Sequence, residues 1–434
     1  MKITLFQGIV LGVCALAGII GVAVFSFYRP EGGTAGVGSV LIWGSIPEKG
    51  VHAALENLRR ADQTFGNVTY VDFEPNQLPQ ELVAAIAQGT PPDLVLASHE
   101  HLSALAPYVR SISVERVSER TFKDAFTAGG EIFLLPDGSG SLGLPILIDP
   151  LVLFYNRTML SSAGIVRPPL TWDELSGHIN AVVTRTPSGG IDKSLVAFGT
   201  YANVQNARGI LSSLFMQLGA PLSVIVSTGQ PRADLGTRAE SGIPPAEAVV
   251  RFYTQFADPS KSLYSWNAGL EGSQERFLQG DLAFYLGYAS EVGHLREANP
   301  NLDFDVAVLP QYSERGTKAT YGHLYAFMIP KGAKNHEGGF QVAVALTQVG
   351  NNQLLALHTL RAPAVRGALA HRPSDAVSAI AYDSALFTRG WLSPGPAETD
   401  SVFSAMINDV NSGRLSITRA VALAESALTA LFAR

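Results

Sequence analysis

Aromatic residues stand at or near the predicted ends of strands and helices, each beside Gly, Pro, Ser or Asn. They are Trp43, Tyr201, Trp266, Tyr288, Tyr321 and Trp391. The connections that follow the carboxyl ends of sheet strands are where α/β proteins bind ligands. Flat rings stack on the apolar faces of a polar ligand, while carboxylates and amides bind its hydroxyl groups. Packing explains each ring taken alone, but together the rings predict a cleft for a polar solute.

Two short motifs could carry other chemistry. Residues 138–143 match the dinucleotide fingerprint G-x-G-x-x-G, which needs a following helix whose N-terminus holds the pyrophosphate. An extended, proline-led stretch follows instead at 144–148, so we predict a glycine-rich hairpin turn. His99 and His101 could face one side of an extended segment, but a metal site needs three or four ligands. We therefore predict a polar loop at a strand end there, with no metal and no cofactor.

Signatures of the common enzyme classes are missing from the sequence. It contains no nucleophile elbow G-x-S-x-G, no P-loop and no kinase motif. Pairs of Asp and Glu could hydrolyse a glycosidic bond, but that reaction requires a carboxylate separation that a sequence does not show. The sequence therefore predicts a binding protein with no catalytic residues, and a glycoside-processing enzyme stays an alternative.

The elements that would position these residues alternate along the chain. Apolar runs predict strands, and apolar residues at helical spacing predict helices. Predicted strands include 40–43, 68–73, 94–97, 151–155, 282–286, 304–309 and 324–329, and predicted helices include 51–65, 81–88, 338–349, 374–381 and 419–432. Asn156 and Thr171 are good N-caps, and Glu174 is spaced to close a capping box with Thr171. The alternation indicates an α/β sheet with helices on both faces.

Composition limits the class of protein. The chain has 434 residues, of which 47% are hydrophobic and 16% charged, and its net charge is −6. About 150 residues per domain is a usual size, so we expect two or three lobes and exclude a disordered chain. Lys and Arg form no cluster, so nucleic acid is not an expected partner. The lone cysteine, Cys14, excludes an intramolecular disulfide framework.

The N-terminal residues predict a membrane anchor at 1–30. The stretch 3–28 carries no charge, and about 20 apolar residues suffice for a helix to cross the hydrocarbon core. Two alternatives stay open: a lipoprotein signal that uses Cys14, and a cleavable signal peptide. A Gly-rich linker is predicted at 31–39. We therefore expect a protein of the cell membrane with a single-pass N-terminal transmembrane helix and an extracytoplasmic folded part that starts near Val40.

The order of several motifs carries a family resemblance. The most specific stretch, 143–175, reads Gly-x-Pro, an apolar strand that ends in Tyr-Asn, a helix, Ala-Gly, and then Pro-x-Thr-Trp-x-Glu. Weaker motifs in the expected order lie at 85–93, 277–284, 329–332 and 411–413. Together they resemble the extracellular solute-binding proteins of ABC importers, in the sugar-binding branch related to maltose-binding protein. The resemblance runs from about Val40 to the C-terminus.

The resemblance implies a two-lobed α/β fold of the periplasmic-binding-protein type, with a hinge that the chain crosses three times. The implied crossings lie near Asp149–Leu151, Val308–Pro310 and Gly350–Asn351. The implied N-terminal lobe comprises 40–149 and 309–350, and the C-terminal lobe comprises 150–308 and 351–434. In such a fold the solute lies between the lobes, and closure around it is a hinge motion whose closed form a membrane partner recognises.

The resemblance also implies ligand-binding residues. Glu100 is similar in position to a cleft carboxylate that receives sugar hydroxyls, Asp149 to an acidic hinge residue, and Tyr288 to a stacking aromatic. His323 stands where the family often has the tryptophan of a Gly-Gly-Trp motif, which puts a simple maltodextrin in doubt as the ligand. The full predicted set is Trp43, Glu48, His99, Glu100, Asp149, Tyr201, Tyr288, Tyr321, His323 and Trp391.

These observations predict the membrane-tethered substrate-binding subunit of an ABC importer. It would capture a sugar, either an oligosaccharide or a related polyol, in an interlobe cleft and deliver it to the permease. The alternatives are a binding protein for a polyamine or a polyol phosphate, a sensor subunit, or the glycoside-processing enzyme. Glu48, Glu100 and Asp149 keep the polyamine open, because carboxylates around aromatic rings suit an amine.

Overall fold

A computed structural model of the protein describes residues 36–227, 229–238, 242–314 and 316–433. The predicted anchor at 1–30, with Cys14, lies outside these residues. Among the residues that are described, no helix is both long and apolar enough to cross a membrane. Residues 36–39, the end of the predicted Gly-rich linker, precede the first strand without regular secondary structure.

Strands and helices alternate as the sequence predicts, but the strand predicted at 151–155 begins seven residues earlier, and further elements, such as the helix at 207–217, are not predicted. The strands are β1 Val40–Gly44, β2 Val68–Asp72, β3 Leu94–Ser98, β4 Val109–Arg110, β5 Ile112–Ser113, β6 Gly140–Ser141, β7 Leu144–Asn156, β8 Thr184–Arg185, β9 Ile191–Val196, β10 Leu222–Ile225, β11 Pro231–Asp234, β12 Leu282–Tyr288, β13 Phe304–Ala307, β14 Thr320–Pro330, β15 Ala362–Pro363 and β16 Thr388–Arg389. The helices are α1 Glu48–Ala61, α2 Leu78–Ala87, α3 Leu102–Leu105, α4 Glu119–Ala125, α5 Arg157–Ser162, α6 Trp172–Gly177, α7 Ile179–Val182, α8 Ala207–Gln217, α9 Pro245–Thr254, α10 Ser273–Gln279, α11 Val292–Ala298, α12 His336–Leu346, α13 Val349–Thr359, α14 Arg366–Leu369, α15 Ala376–Ala385, α16 Pro396–Asn411 and α17 Ile417–Phe432.

Local sequence explains several of these boundaries. The Asn156 side chain accepts from the Met159 amide at 2.9 Å, so it caps α5 as predicted. Thr171 caps α6 through the Glu174 amide at 3.2 Å, but the Glu174 carboxylate accepts from Leu170, one residue before the predicted partner.

Residues 138–143 form a turn that leads into β6 and β7, and no helix follows them. The dinucleotide fingerprint therefore lacks the helix N-terminus that would hold a pyrophosphate.

The main sheet extends through the whole molecule. Its principal strand order is β2-β1-β3-β14-β7-β12-β9-β8. Strand β1 pairs in parallel with both β2 and β3, whereas the long strands β7 and β14 run antiparallel to each other. Every residue of β3 is buried, which fits its continuous apolar sequence and its central place in the sheet.

Strand β7 changes partners halfway along its length. Residues 144–150 pair with β14, and residues 151–156 pair with β12 and β13. On one side of this change, α12 packs on β1, β3 and β14, and α13 packs on α1. On the other side, α10 packs on β12, and α17 packs on α9 and α16. The result is the predicted two-lobed α/β fold, with a change of lobe inside β7 where the sequence analysis expects the first crossing.

Contacts of two later segments bear on the predicted division between lobes. The segment 309–321, predicted for the N-terminal lobe, bonds to the C-terminal lobe: Pro310 accepts from Gln217 at 3.0 Å, and the Tyr321 amide donates to Ser213 at 2.8 Å. Helix α13, predicted for the C-terminal lobe, packs on α1 of the N-terminal lobe. The division stays a prediction, and these contacts favour a second crossing near Tyr321 and a third one after β15.

Candidate functional site

A cleft lies between the two lobes, beyond the carboxyl ends of the parallel strands β1, β2 and β3. It consists of two adjoining cavities of ≈ 500 and ≈ 640 Å³. The residues that line both cavities are Ser45, Pro75, Tyr288, His323 and Tyr325. The first cavity also contains Glu100, Tyr201, Arg208 and Asp400, and the second also contains Asp149, Ser290 and Arg361. This is the edge at which open α/β sheets bind ligands.

Glu100 is the most heavily partnered carboxylate of the first cavity. It lies in a tight turn directly after β3 and is 7% exposed. Its Oε1 accepts from the Tyr321 hydroxyl at 2.5 Å and lies 2.8 Å from a guanidinium nitrogen of Arg208, while Oε2 lies 3.1 Å from His323 Nε2. Burial alone would raise the pKa of Glu100, but His323 and Arg208 outweigh it and hold that pKa well below 4.5. The carboxylate is therefore ionised in the folded protein.

Arg208 connects this carboxylate to a second one across the cleft. It lies in the first turn of α8, and its Nη1 is 3.1 Å from Asp400 on α16. The Tyr201 hydroxyl donates to the same Asp400 at 2.6 Å. Burial lowers the pKa of Arg208, but the charge interactions with Glu100, Tyr321 and Asp400 raise it by more than burial lowers it. The guanidinium therefore stays charged. One wall of the cavity thus presents alternating carboxylates and a cation.

Tyr288 and His323 form a stacked pair at the point where the two cavities meet. Their rings are 4.0 Å apart and inclined by 28°. Tyr288 ends β12 and is 8% exposed, and a side chain at Gly209 would lie 2.6 Å from its hydroxyl oxygen. Gly209 therefore allows the ring to approach α8 closely. Burial and then Glu100 raise the pKa of Tyr288, so its hydroxyl stays protonated.

Asp149 joins the lobes in the second cavity. It lies on β7 two residues before Leu151, where the pairing changes, and is 1% exposed. Its carboxylate accepts from the amide and the hydroxyl of Ser290, at 3.0 and 2.6 Å, and lies 3.4 Å from Nε of Arg361. Arg361 also lies over the Tyr325 ring, 5.2 Å from its centre. Asp149 thus links the segment after β12 to the segment after α13.

A buried carboxylate supports the wall behind Tyr288. Glu291 accepts from the Tyr288 amide and from Asn206 Nδ2, both at 2.7 Å, and from the Tyr285 hydroxyl. Burial raises the pKa of Glu291, although these hydrogen bonds oppose the shift. The network positions the backbone of Tyr288, and the sequence analysis did not find it.

The structure brings half of the predicted site residues into the cleft lining. Those residues are Glu100, Asp149, Tyr201, Tyr288 and His323. Tyr321, 2% exposed, lies directly behind Glu100 and donates to it.

The remaining predicted residues do not belong to this lining. Trp43 packs on Phe73 with ring centres 4.6 Å apart, and Glu48 is exposed at the start of α1. Trp391 is buried, and its indole donates to Ser212 at 3.2 Å. His99 is buried beneath the cleft, where its Nδ1 accepts from the Leu324 amide. None of these four side chains lines either cavity, because Trp43, Trp391 and His99 are held by the contacts just described and Glu48 lies outside the lining, so their contact with a ligand stays a prediction.

Arg208, Arg361 and Asp400 are lining residues that the sequence analysis missed. A cation in the first turn of a helix opposes the helix dipole, so Arg208 would have been a signal if the start of α8 had been predicted. Asp400 and Arg361 carry no comparable signal, since only the tertiary fold brings them to the cleft. Within the described residues, no group of three or more His, Cys, Asp or Glu could hold a metal ion.

Most of the sequence matches a known family. The family model for bacterial extracellular solute-binding proteins matches residues 61–381. Curated relatives include binding proteins of Brucella abortus (strain 2308) and Brucella suis biovar 1, each 25% identical over 282 residues. The alignment spans 62% of this chain and 62% of each relative, which is less than two thirds of their length.

Solved structures share the fold over most of the chain. The maltotriose-binding protein of Thermus thermophilus, bound with maltotriose, is 16% identical with a TM-score of 0.64, over 90% of this chain and 99% of that one. The cyclic α-maltosyl-1,6-maltose-binding protein of Arthrobacter globiformis is 15% identical with a TM-score of 0.71, over 91% and 98%. A sugar-binding protein of Xanthomonas citri is 19% identical with a TM-score of 0.70, over 91% and 97%.

Two α/β lobes with a polar cleft between them are an arrangement suited to holding a small solute. The chain belongs to the bacterial extracellular solute-binding proteins, because the family model covers most of its length. The predicted membership of the extracellular solute-binding proteins is therefore confirmed, and that family is one of binding proteins.

Proposed function

We propose that the protein is the substrate-binding subunit of an ABC importer, and that it captures a sugar between its lobes for delivery to the permease. The observation that carries this proposal is the lining of the first cavity. Tyrosine rings there adjoin alternating carboxylates and a guanidinium. The three structural neighbours described above support it, since each is named as a protein that binds a sugar.

The geometry suits a polyhydroxylated ligand. Sugar hydroxyls both donate and accept, and Glu100 and Asp400 would accept from them while Arg208 donates. Tyr288 and Tyr201 border the same cavity and would cover the apolar face of a sugar ring. Preorganised polar groups and rigid rings lower the entropic cost of binding.

Ligand capture would be coupled to a hinge motion. Strands β7 and β14 connect the lobes, and Asp149 contacts residues on both sides of the cleft through Ser290 and Arg361. A ligand that contacts both lobes stabilises the closed form over the open one. The permease would recognise that closed form, so the loaded protein would bind the transporter in preference to the empty one.

The location of the protein follows from the same proposal. The family is extracellular, which supports an extracytoplasmic position for the two lobes. We propose that the charge-free stretch at 3–28 tethers them to the membrane as an uncleaved helix. A tether would keep the binding protein near its permease and raise its effective concentration there.

A thermal-shift screen of the full-length protein in detergent tests the proposed function. Its ligands are maltotriose, other neutral oligosaccharides, polyols, polyol phosphates and spermidine. A true ligand binds the folded state alone and, at a hundred times its Kd, stabilises it by about 2.7 kcal/mol. We expect a neutral sugar to raise the melting temperature, with binding confirmed by calorimetric titration.

Two further results would count against the proposal. Stabilisation by spermidine or a polyol phosphate without any neutral sugar would make this a binding protein for a different solute. Chromatography of the sugar after incubation provides the second measurement, because release of shorter products would establish an enzyme.

A further inference from the structure

Two carboxylates approach the first cavity from opposite lobes, and one guanidinium lies between them. Glu100 follows β3 of the N-terminal lobe, and Asp400 lies on α16 of the C-terminal lobe. Arg208 pairs with both, at 2.8 and 3.1 Å. The side chain of Arg208 is 15% exposed and that of Glu100 is 9% exposed, so the ion pair between Arg208 and Glu100 is largely shielded from water.

The position of Arg208 costs stability within its own helix. It stands in the first turn of α8, where the helix dipole favours anions and disfavours cations. The side chain of the N-cap, Asn206, bonds to Glu291 and does not cap the helix. The stability of α8 therefore does not explain an arginine here, whereas the two carboxylates in the cleft do.

Without a cation between them, Glu100 and Asp400 would form a site for an ammonium group. The lining of the cavity contains two carboxylates, and Arg208 is its one Lys or Arg side chain among the described residues. Tyr201 and Tyr288 border the same space, and aromatic faces attract cations. Carboxylates beside aromatic rings are the chemistry that would bind a polyamine or an amino sugar.

We infer that Arg208 is a specificity-determining residue that excludes amines from the cleft. Its guanidinium occupies the place in which a ligand ammonium would pair with Glu100 and Asp400. An amine would have to displace the guanidinium or lie beside it, and like charges in close contact disfavour binding. A neutral sugar meets an acceptor and a donor side by side, which matches two neighbouring hydroxyls. This inference rests on the proposed function and narrows it to neutral polyhydroxylated ligands.

Exchange of the guanidinium for a neutral amide tests the inference. Calorimetric titrations of the full-length protein use maltotriose, the glucosamine trimer and spermidine as probes. We expect the wild type to bind neither amine, and Arg208→Gln to bind at least one of them with a gain of about tenfold or more. Arg208→Gln should also bind a neutral sugar more weakly than the wild type.

Three controls separate charge from folding. Arg208→Lys keeps a cation and should still exclude amines. Addition of Asp400→Asn to Arg208→Gln removes one carboxylate and should abolish the gained amine binding. Arg372→Gln breaks an exposed ion pair with Asp383, 2.7 Å long, and should bind all three probes like the wild type. A melting curve establishes that each variant is folded.

The possible outcomes distinguish this inference from the proposed function. If the folded Arg208→Gln variant gains no amine binding, the inference is wrong, whereas sugar binding by the wild type would leave the proposed function intact. If the wild type binds spermidine and no neutral sugar, both fail. If Arg208→Gln gains amine binding while the wild type binds no sugar of the screen, the role of Arg208 stands and the proposed sugar does not.

Discussion

At the scale of single residues, the cleft is built from side chains that contact one another across the lobe boundary. His323 touches Tyr288 on one side and lies 3.1 Å from Glu100 on the other. Because Glu100 also pairs with Arg208, a substitution at one of these residues removes a contact of its neighbour. Substitutions here therefore need controls that separate binding from stability.

Tyr288→Ala should weaken sugar binding by about 2 kcal/mol or more, the range of a well-packed aromatic anchor. The ring is 8% exposed and borders both cavities, so water can fill part of the vacated space. We therefore expect a smaller loss of unfolding free energy than the roughly 3–5 kcal/mol of a large-to-small core substitution. Calorimetric titration and a urea melt measure the two quantities on the same sample.

Two variants serve as controls for the change at Tyr288. Tyr288→Phe keeps the stacked ring and should retain most of the affinity. Tyr312→Ala removes a tyrosine that is 62% exposed and should alter neither quantity. Unchanged affinity together with a core-sized loss of stability in Tyr288→Ala would make Tyr288 a core residue and remove it from the site.

His99 should make the protein sensitive to mild acid. Burial lowers its pKa from 6.5 to about 3, so the ring stays neutral in the folded state while the unfolded chain takes up a proton below pH 6.5. The unfolded state then binds more protons, and stability falls as the pH drops from 6.5 toward 3, by up to about 1.4 kcal/mol per pH unit. Urea melts between pH 7 and pH 5 measure this slope.

A variant that cannot titrate isolates the contribution of His99. His99→Asn keeps an acceptor for the Leu324 amide, and we expect a shallower loss of stability toward acid than in the wild type. His371→Asn removes an exposed histidine and should leave the slope unchanged. Equal slopes for the wild type and His99→Asn would show that His99 titrates normally in the folded protein.

At the scale of elements, strand β7 carries the connection between lobes. It pairs with β14 in its first half and with β12 and β13 in its second half, and Asp149 lies near the end of the first half. The ion pair of Asp149 with Arg361 ties this strand to the segment after α13. The pair is shielded, since the two side chains are 2% and 11% exposed.

Asp149→Asn should lower the unfolding free energy by about 3 kcal/mol or more, because it leaves the shielded Arg361 guanidinium without its counter-charge. The double variant Asp149→Asn with Arg361→Gln should recover part of this loss, and a double-mutant cycle by urea melts gives the coupling.

The matched control for that cycle is an exposed ion pair. Asp383→Asn removes the partner of Arg372, where the side chains are 42% and 57% exposed, and should cost less than about 1 kcal/mol. A cost at Asp149 no larger than the cost at Asp383 would mean that the pair contributes nothing to the connection between the lobes.

At the scale of the whole molecule, the question is how the N-terminal segment attaches the two lobes, and the cleft between them, to the membrane. The lobes hold the proposed binding site, while the charge-free stretch at 3–28 lies outside the described residues. Membrane attachment through this stretch would come from its apolar length, whereas a lipoprotein would depend on Cys14.

Cys14→Ser distinguishes these two forms of attachment. We expect the variant to remain in the membrane fraction, because a transmembrane helix of about 20 apolar residues stays inserted without a covalently attached lipid. Cell fractionation with carbonate extraction measures it, and a chain that lacks residues 1–35 provides the soluble control. Release of Cys14→Ser into the soluble fraction would replace the helical anchor with a lipid anchor.

Local patterns in the sequence were enough to predict many of the elements and the alternation of strands and helices. The apolar run of β3 and the cap at Asn156 depend on neighbours a few residues away, and both are present as predicted. The motifs from Gly143 to Leu175, together with the weaker motifs in the expected order, were enough to indicate the family. Glu100 and Tyr288 were predicted for the cleft because each follows the end of a predicted strand that such motifs identify.

Long-range packing decided the rest of the cleft. Arg208 pairs with Asp400, 192 residues away in the chain, and Tyr321 donates to Glu100 across 221 residues. No periodicity or spacing relates residues so far apart, since their proximity depends on how β7 and β14 pair and on how α8 and α16 pack. Trp43 and Trp391 show the converse: their neighbours in sequence suggested a cleft, but Trp43 packs on Phe73, Trp391 is buried, and neither ring lines the cavities. Sequence patterns report local geometry and burial, whereas the direction of a side chain at the lobe boundary is set by contacts that exist only once both lobes have formed.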